Sequence, residues 1–146
     1  MTMHATPFDV TSTTPPSDLL DAARRVQRNA YVPYSDFPVG AALRSADGTI
    51  FVGANIENAS FGLSRCAEQS AVQAMASAGG RTITEIVVVS DASEPASPCG
   101  ACRQILYEFG KNANLWLVNA SGEVRSTTVR AMLPGAFELD AAEAAT

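Results

Sequence analysis

Three cysteines and one glutamate carry most of the chemistry this sequence can do. They fall in two short segments, Cys66-Ala67-Glu68 and Pro98-Cys99-Gly100-Ala101-Cys102. The only histidine, His4, lies in a polar leader. A soft metal bound here must therefore take nearly all its protein ligands from the cysteines. Three ligands are one short of a closed structural zinc site, and three is the number a catalytic zinc uses when water fills the fourth position. An odd cysteine count is also a poor disulfide framework.

Each segment stands where a helix is expected to begin. Free N–H groups and the positive end of the dipole at a helix N-terminus lower a thiol pKa and favour the thiolate, the form that binds metal. Two such starts can bring three sulfurs to one point, with Cys99 and Cys102 ligating from a single helical turn. Glu68, two residues past Cys66, is turned away from the cysteine's direction. That offset suits an acid/base leaning over the open position better than a fourth ligand. Zinc lowers the pKa of a bound water from 15.7 to about 7, and a positioned acid/base adds roughly 10²–10⁴-fold in rate.

The elements that must position these groups follow from the punctuation of the chain. Ser17 or Asp18 caps a helix to about Asn29, with Leu19, Ala22, Ala23 and Val26 on one face. Pro33 and Pro38 break it. Val39 to Leu43 and Thr49 to Asn55 form two strands about Asp47-Gly48. A helix over Cys66 to Ala78 stops at Gly79-Gly80. Ile83 to Val89, with the run Ile86-Val87-Val88-Val89, is a central strand buried on both faces. A second short helix spans Cys99 to about Phe109 and ends at Gly110. Leu115 to Val118 and Val124 to Thr128 are strands about Ser121-Gly122, and a last helical turn covers Val129 to Leu133. The order α-β-β-α-β-α-β-β predicts an α/β fold with a mixed five-stranded sheet and helices packed on it.

The chain has 146 residues, the length of one ordinary domain, and 47% of them are hydrophobic, enough for a real core. Residues 1–17, rich in Thr, Ser and Pro, are expected to be a disordered leader, 18–139 the catalytic domain and 140–146 a C-terminal tail. The formal net charge of −5 argues against nucleic acid as partner or substrate. No apolar run approaches the ~20 residues of a membrane span, and the start MTMHATPFDV has no apolar signal stretch. The expectation is a soluble, cytoplasmic protein.

Taken alone, Cys99-Gly100-Ala101-Cys102 serves redox chemistry and metal binding about equally well. A lone Cys66 reads as a spare buried thiol and a lone Glu68 as a solvated helix residue. Together they match the three-cysteine form of the zinc-deaminase pattern H-x-E…P-C-x-x-C, which is a match to a known signature and not a derivation. Further matches are Tyr34-Ser35-Asp36-Phe37-Pro38-Val39-Gly40-Ala41-Ala42, Asn55-Ile56-Glu57-Asn58-Ala59-Ser60-Phe61, Arg103-Gln104 after Cys102, and Leu133-Pro134-Gly135-Ala136-Phe137. Over residues 18–139 the chain resembles the small, zinc-dependent, homotetrameric cytidine deaminases.

That resemblance implies a single-domain three-layer α-β-α sandwich and the hydrolytic deamination of free cytidine and 2′-deoxycytidine to uridine and 2′-deoxyuridine. It implies one Zn²⁺ per chain on Cys66, Cys99 and Cys102, with Glu68 shuttling the proton from water to the pyrimidine. Asn55 and Glu57 would bind the ribose, Phe37 would lie on the pyrimidine face, and the Ala67 main chain would meet the base. Phe61 and Phe137 would reach into a neighbouring subunit's site, although the family more often has Tyr at the position of Phe61. Where many relatives read C-A-E-R, this chain has Gln69. Three thiolates around Zn²⁺ leave one net negative charge, and Arg103 with the two helix dipoles is expected to offset it, Arg65 being a weaker substitute. The competing readings are a thiol redox protein using Cys99 and Cys102, a silent zinc-stabilised module, and a deaminase of another amino-pyrimidine such as blasticidin S.

Overall fold

The structure, a computed structural model, describes residues 14–140. Most of the expected leader and the end of the tail lie outside them. Within them Pro15 is buried and Ser17 is already helical, so ordered packing starts before the expected boundary.

Five strands form one sheet in the order β2-β1-β3-β4-β5: β1 Val39–Ser45, β2 Ile50–Ala54, β3 Ile83–Ser90, β4 Asn114–Val118 and β5 Val124–Thr128. β1 runs antiparallel to β2 and to β3, β3 is parallel to β4, and β5 is antiparallel to β4, which makes the sheet mixed as expected. β3 sits in the middle, and its Ile86, Val87, Val88 and Val89 are buried. Side chains alternate across a strand, so this run feeds two cores. Ile86 and Val88 pack beneath α2 (Ala67–Ser77), α3 (Gly100–Gly110) and α4 (Val129–Met132). Val87 and Val89 pack with Leu19, Ala22 and Ala23 of α1 (Ser17–Gln27) on the other face. The result is the three-layer α-β-α sandwich.

Two glycines set how closely the layers approach. A Cβ on Gly53 of β2 would lie 2.3 Å from the Ala71 nitrogen and 2.5 Å from the Ala67 carbonyl oxygen, so the first turns of α2 rest directly on the strand. A Cβ on Gly40 of β1 would lie 2.2 Å from the Ala23 carbonyl oxygen of α1.

Element ends show what the sequence pattern missed. The N-cap of α1 is Pro16, and neither Ser17 nor Asp18 caps it. Asp18 is drawn instead to Arg44 of β1, at 2.8 Å, and Arg44 also holds Glu85 of β3 at 2.7 Å. α2 closes as expected, in a Schellman turn: the Gly80 and Gly79 amides reach the Met75 and Ala76 carbonyls, with Gly79 at φ +93°. Gly110 is different. It is the last residue of α3 and not a left-handed cap; its missing Cβ makes room for Ile83, whose own Cβ would lie 2.7 Å away.

Candidate active site

α2 and α3 both begin beside the end of β3, and each carries a cysteine at its N-cap: Cys66 on α2 and Cys99 on α3. Cys102 sits in the first turn of α3, buried, and its amide donates to the Cys99 sulfur at 3.5 Å. The sulfurs of Cys66 and Cys99 are 3.8 Å apart and those of Cys99 and Cys102 3.4 Å apart. All three lie within 4.8 Å of one another. A tetrahedral ion about 2.3 Å from each sulfur requires sulfurs about 3.8 Å apart. The donor set, all thiols, and its spacing therefore fit one zinc ion, and the described residues bring no fourth ligand to the group. A dithiol redox centre has no use for the third sulfur.

Hydrogen bonding from the Cys102 thiol pulls the Cys66 pKa down to about 7. The same contact, with burial, pushes Cys102 up. Cys66 therefore reaches the metal-binding thiolate state near neutral pH.

Glu68 lies in the first turn of α2 and is only 5% exposed. Burial raises its pKa above the usual carboxylate value. A carboxyl whose affinity for protons is raised in this way is suited to taking up a proton and passing it on. Its cavity of about 240 Å³ is also lined by Phe37, Val39, Asn55, Cys66, Ala67, Val88, Pro98 and Cys99. The structure thus brings Phe37, Asn55 and Ala67 to one cavity with Cys66, Cys99 and Glu68.

The loop bearing Phe37 is stitched to the chain after β2. Asn55 Oδ1 accepts the Val39 amide at 2.8 Å, and Asn55 Nδ2 donates to the Phe37 carbonyl at 2.8 Å. Glu57 Oε1 accepts the amides of Tyr34 at 2.9 Å and Ser35 at 3.1 Å. The Ser35 hydroxyl and these amides hold the Glu57 pKa below its usual value. Glu57 is therefore beside the cavity as a brace and is not among its lining residues.

Phe61 and Phe137 stand away from this chain's own cavity, 77% and 70% exposed. Phe61 meets the Tyr34 ring edge to face, at 6.0 Å between centroids. The hydrogen bonds of Arg103 go to carbonyl oxygens, from Nε to Pro98 at 2.8 Å and from Nη1 to Met132 at 3.0 Å. Its charge thus sits behind the loop that carries Cys99 and is not bonded to sulfur. Arg65 turns to the Ser64 carbonyl.

Gln69 has a task that sequence reasoning missed. Its Oε1 accepts the Cys66 amide at 3.4 Å, and Cys66 and Gln69 form a capping box at the start of α2. The signal was the spacing of a Ser/Thr-x-x-Glu/Gln box with sulfur in place of the hydroxyl.

Residues 14–117 match the family described as the cytidine and deoxycytidylate deaminase zinc-binding region. A cytidine deaminase of Sporosarcina psychrophila is 46% identical over 120 residues, 82% of this chain and 88% of the relative. One of Halalkalibacterium halodurans is 47% identical over 82% of this chain and 91% of its own length. Among solved structures, the cytidine deaminase of Burkholderia pseudomallei superposes with a TM-score of 0.81 at 43% identity, covering 85% of this chain and all of that one. The Mycobacterium tuberculosis cytidine deaminase gives 0.72 at 38%, covering 84% of this chain and 96% of that one. With the site geometry and these likenesses in agreement, the chain belongs to the zinc-binding cytidine and deoxycytidylate deaminase family.

Proposed function

We propose that this protein hydrolyses free cytidine and 2′-deoxycytidine to uridine and 2′-deoxyuridine, releasing ammonia. The observation that carries this reading is the convergence of three thiols from two helix N-termini beside a buried carboxyl, Glu68, in a cavity walled by Phe37 and Asn55. Cys66, Cys99 and Cys102 would hold the zinc, which supplies Lewis acidity and an acidified water. Glu68 takes a proton from water and gives it to N3 of the cytosine ring as the water oxygen bonds to C4; it then relays that oxygen's remaining proton to the 4-amino group, and ammonia leaves as the C4–N bond breaks and the C4 carbonyl forms. Its raised affinity for protons suits both halves of that relay.

Phe37 stacks on the base. The amide of Ala67, in the first turn of α2, has no intrahelical acceptor by position and is available to the base carbonyl. Asn55 has one lone pair and one N–H beyond its loop contacts, and Glu57 keeps Oε2 free of the two amides on Oε1. These atoms take the ribose hydroxyls. Arg103 and the two helix N-termini offset the negative charge of the thiolates from outside the sulfur cluster.

The active unit is a homotetramer in which Phe61 and Phe137 complete the cavities of neighbouring copies. Supporting this, Tyr31, Tyr34, Ile56, Phe61 and Leu63 leave a large apolar surface on a single chain. Three free thiols suit a reducing compartment, and we place the enzyme in the cytoplasm, in pyrimidine salvage. The direct test is loss of ultraviolet absorbance on incubation with cytidine, with and without a zinc chelator. Turnover that stops with the chelator and returns with added zinc supports the reading; absence of turnover by the zinc-loaded protein contradicts it.

A further inference from the structure

We propose that Tyr107, through Glu138, positions Phe137 for use in the cavity of a neighbouring copy. The proposal rests on the shared-site reading given above. After α4 the chain turns at Gly135, φ +65°, and runs beside α3 without regular structure. One face of α3 holds it. Arg103, Tyr107 and Lys111, four residues apart and therefore stacked along the helix, reach the Met132 carbonyl and the two carboxylate oxygens of Glu138. Gln104 Nε2 donates to the Phe137 carbonyl at 3.3 Å.

These anchors are polar, while the large apolar side chains of the segment point outward, with Phe137 70% and Leu139 69% exposed. A coil that buries neither of its bulky groups has little packing reason to keep one conformation. Ala136 packs against the core on one side of Phe137, and past Phe137 the polar grips are what restrain the chain. They are unequal. Lys111 and Glu138 are both about half exposed, and such a pair contributes little. Tyr107 differs, because its ring belongs to the core under α3 and is 6% exposed. Its hydroxyl emerges from that rigid base and donates to Glu138 Oε1 at 2.7 Å. The carboxylate in turn raises the phenol pKa, as expected when it accepts that proton's hydrogen bond. Phe137 is one residue from this fixed point. Holding it before a partner copy arrives removes an ordering cost from substrate binding.

The test compares the wild type with Tyr107→Phe, Phe137→Ala and the double variant, all zinc-loaded, with oligomeric mass and zinc content measured for each. Tyr107→Phe keeps the packed ring and removes only the hydroxyl. It is expected to raise the cytidine KM about tenfold, with most of the effect in KM and the mass and zinc content unchanged. Amide exchange at 136–139 should quicken. The double variant should be no worse than Phe137→Ala alone, since the hydroxyl acts through that ring. Wild-type kinetics in Tyr107→Phe beside an impaired Phe137→Ala would overturn the positioning role, as would penalties that multiply. Wild-type kinetics in Phe137→Ala would instead overturn the shared-site reading, and this proposal with it.

Discussion

Asn55 grips Phe37 by the backbone: its Nδ2 donates to the Phe37 carbonyl, while its Oδ1 takes the amide of Val39 two residues on. One side-chain amide therefore fixes both sides of Pro38 and with them the aromatic wall of the cavity. Asn55→Asp tests this, because it keeps the acceptor for Val39 and for sugar hydroxyls but sets a second oxygen against the Phe37 carbonyl. A lost partner of this kind costs about 1–3 kcal/mol. Amide exchange over 37–39 should quicken in the substrate-free variant, and kcat/KM should fall at least tenfold. Unchanged exchange would mean that Asn55 serves the sugar alone.

Glu57 braces the same loop with a charge. Its folded pKa is depressed from an ordinary 4.5, so ionisation stabilises the folded protein. That contribution is present above about pH 4.5 and is lost as pH falls through the depressed value. Glu57→Gln retains an acceptor and loses the charge. The gap in Tm between wild type and Glu57→Gln should therefore be open at neutral pH and close as pH drops below 4.5. A gap that widens on acidification would have the wrong sign.

Gly53 decides where α2 begins. The Cβ of Gly53→Ala would clash with backbone atoms of Ala67 and Ala71, which cannot rotate aside. Overpacking of this type costs typically 1–3 kcal/mol, occasionally more. Because the displaced turn carries Glu68 and follows Cys66, zinc should also dissociate faster. Gly62→Ala, where nothing lies within 4 Å, is the control and should match the wild type in Tm and zinc release.

The parts legible in the sequence were those specified locally. Gly79-Gly80 announces a Schellman turn, and four consecutive aliphatics in Ile86 to Val89 announce a strand with a core on each side. The sulfurs were legible by type, since thiols with no histidine near them leave few metals and few ligand sets. What stayed hidden depends on partners far along the chain. Asp18 looks like a cap until Arg44 arrives from β1. Gly110 looks like a helix stop until Ile83 is packed on it. Glu57 looks like a sugar ligand alone until Tyr34 and Ser35 fold against it. Gln69 looked like a lost charge, because a cysteine is not an expected capping residue.

Metal removal should be felt in the fold. The three sulfurs join the starts of α2 and α3. Stripping zinc should lower Tm, by the linkage that stabilises any state binding a ligand the unfolded chain does not. Cys66→Ser should retain less than the one zinc per chain expected of the wild type. Equal Tm with and without zinc would show that the cluster does not bind metal in solution.

If Glu68 moves protons beside a metal held by three thiols, zinc-loaded Glu68→Gln must lose turnover while keeping metal and fold. The variant keeps the shape of the side chain and removes its ability to carry a proton. The expected result is about one zinc per chain, a wild-type fold and a loss of kcat of roughly 10²–10⁴-fold or more. Undiminished kcat in the folded, zinc-loaded variant would contradict it.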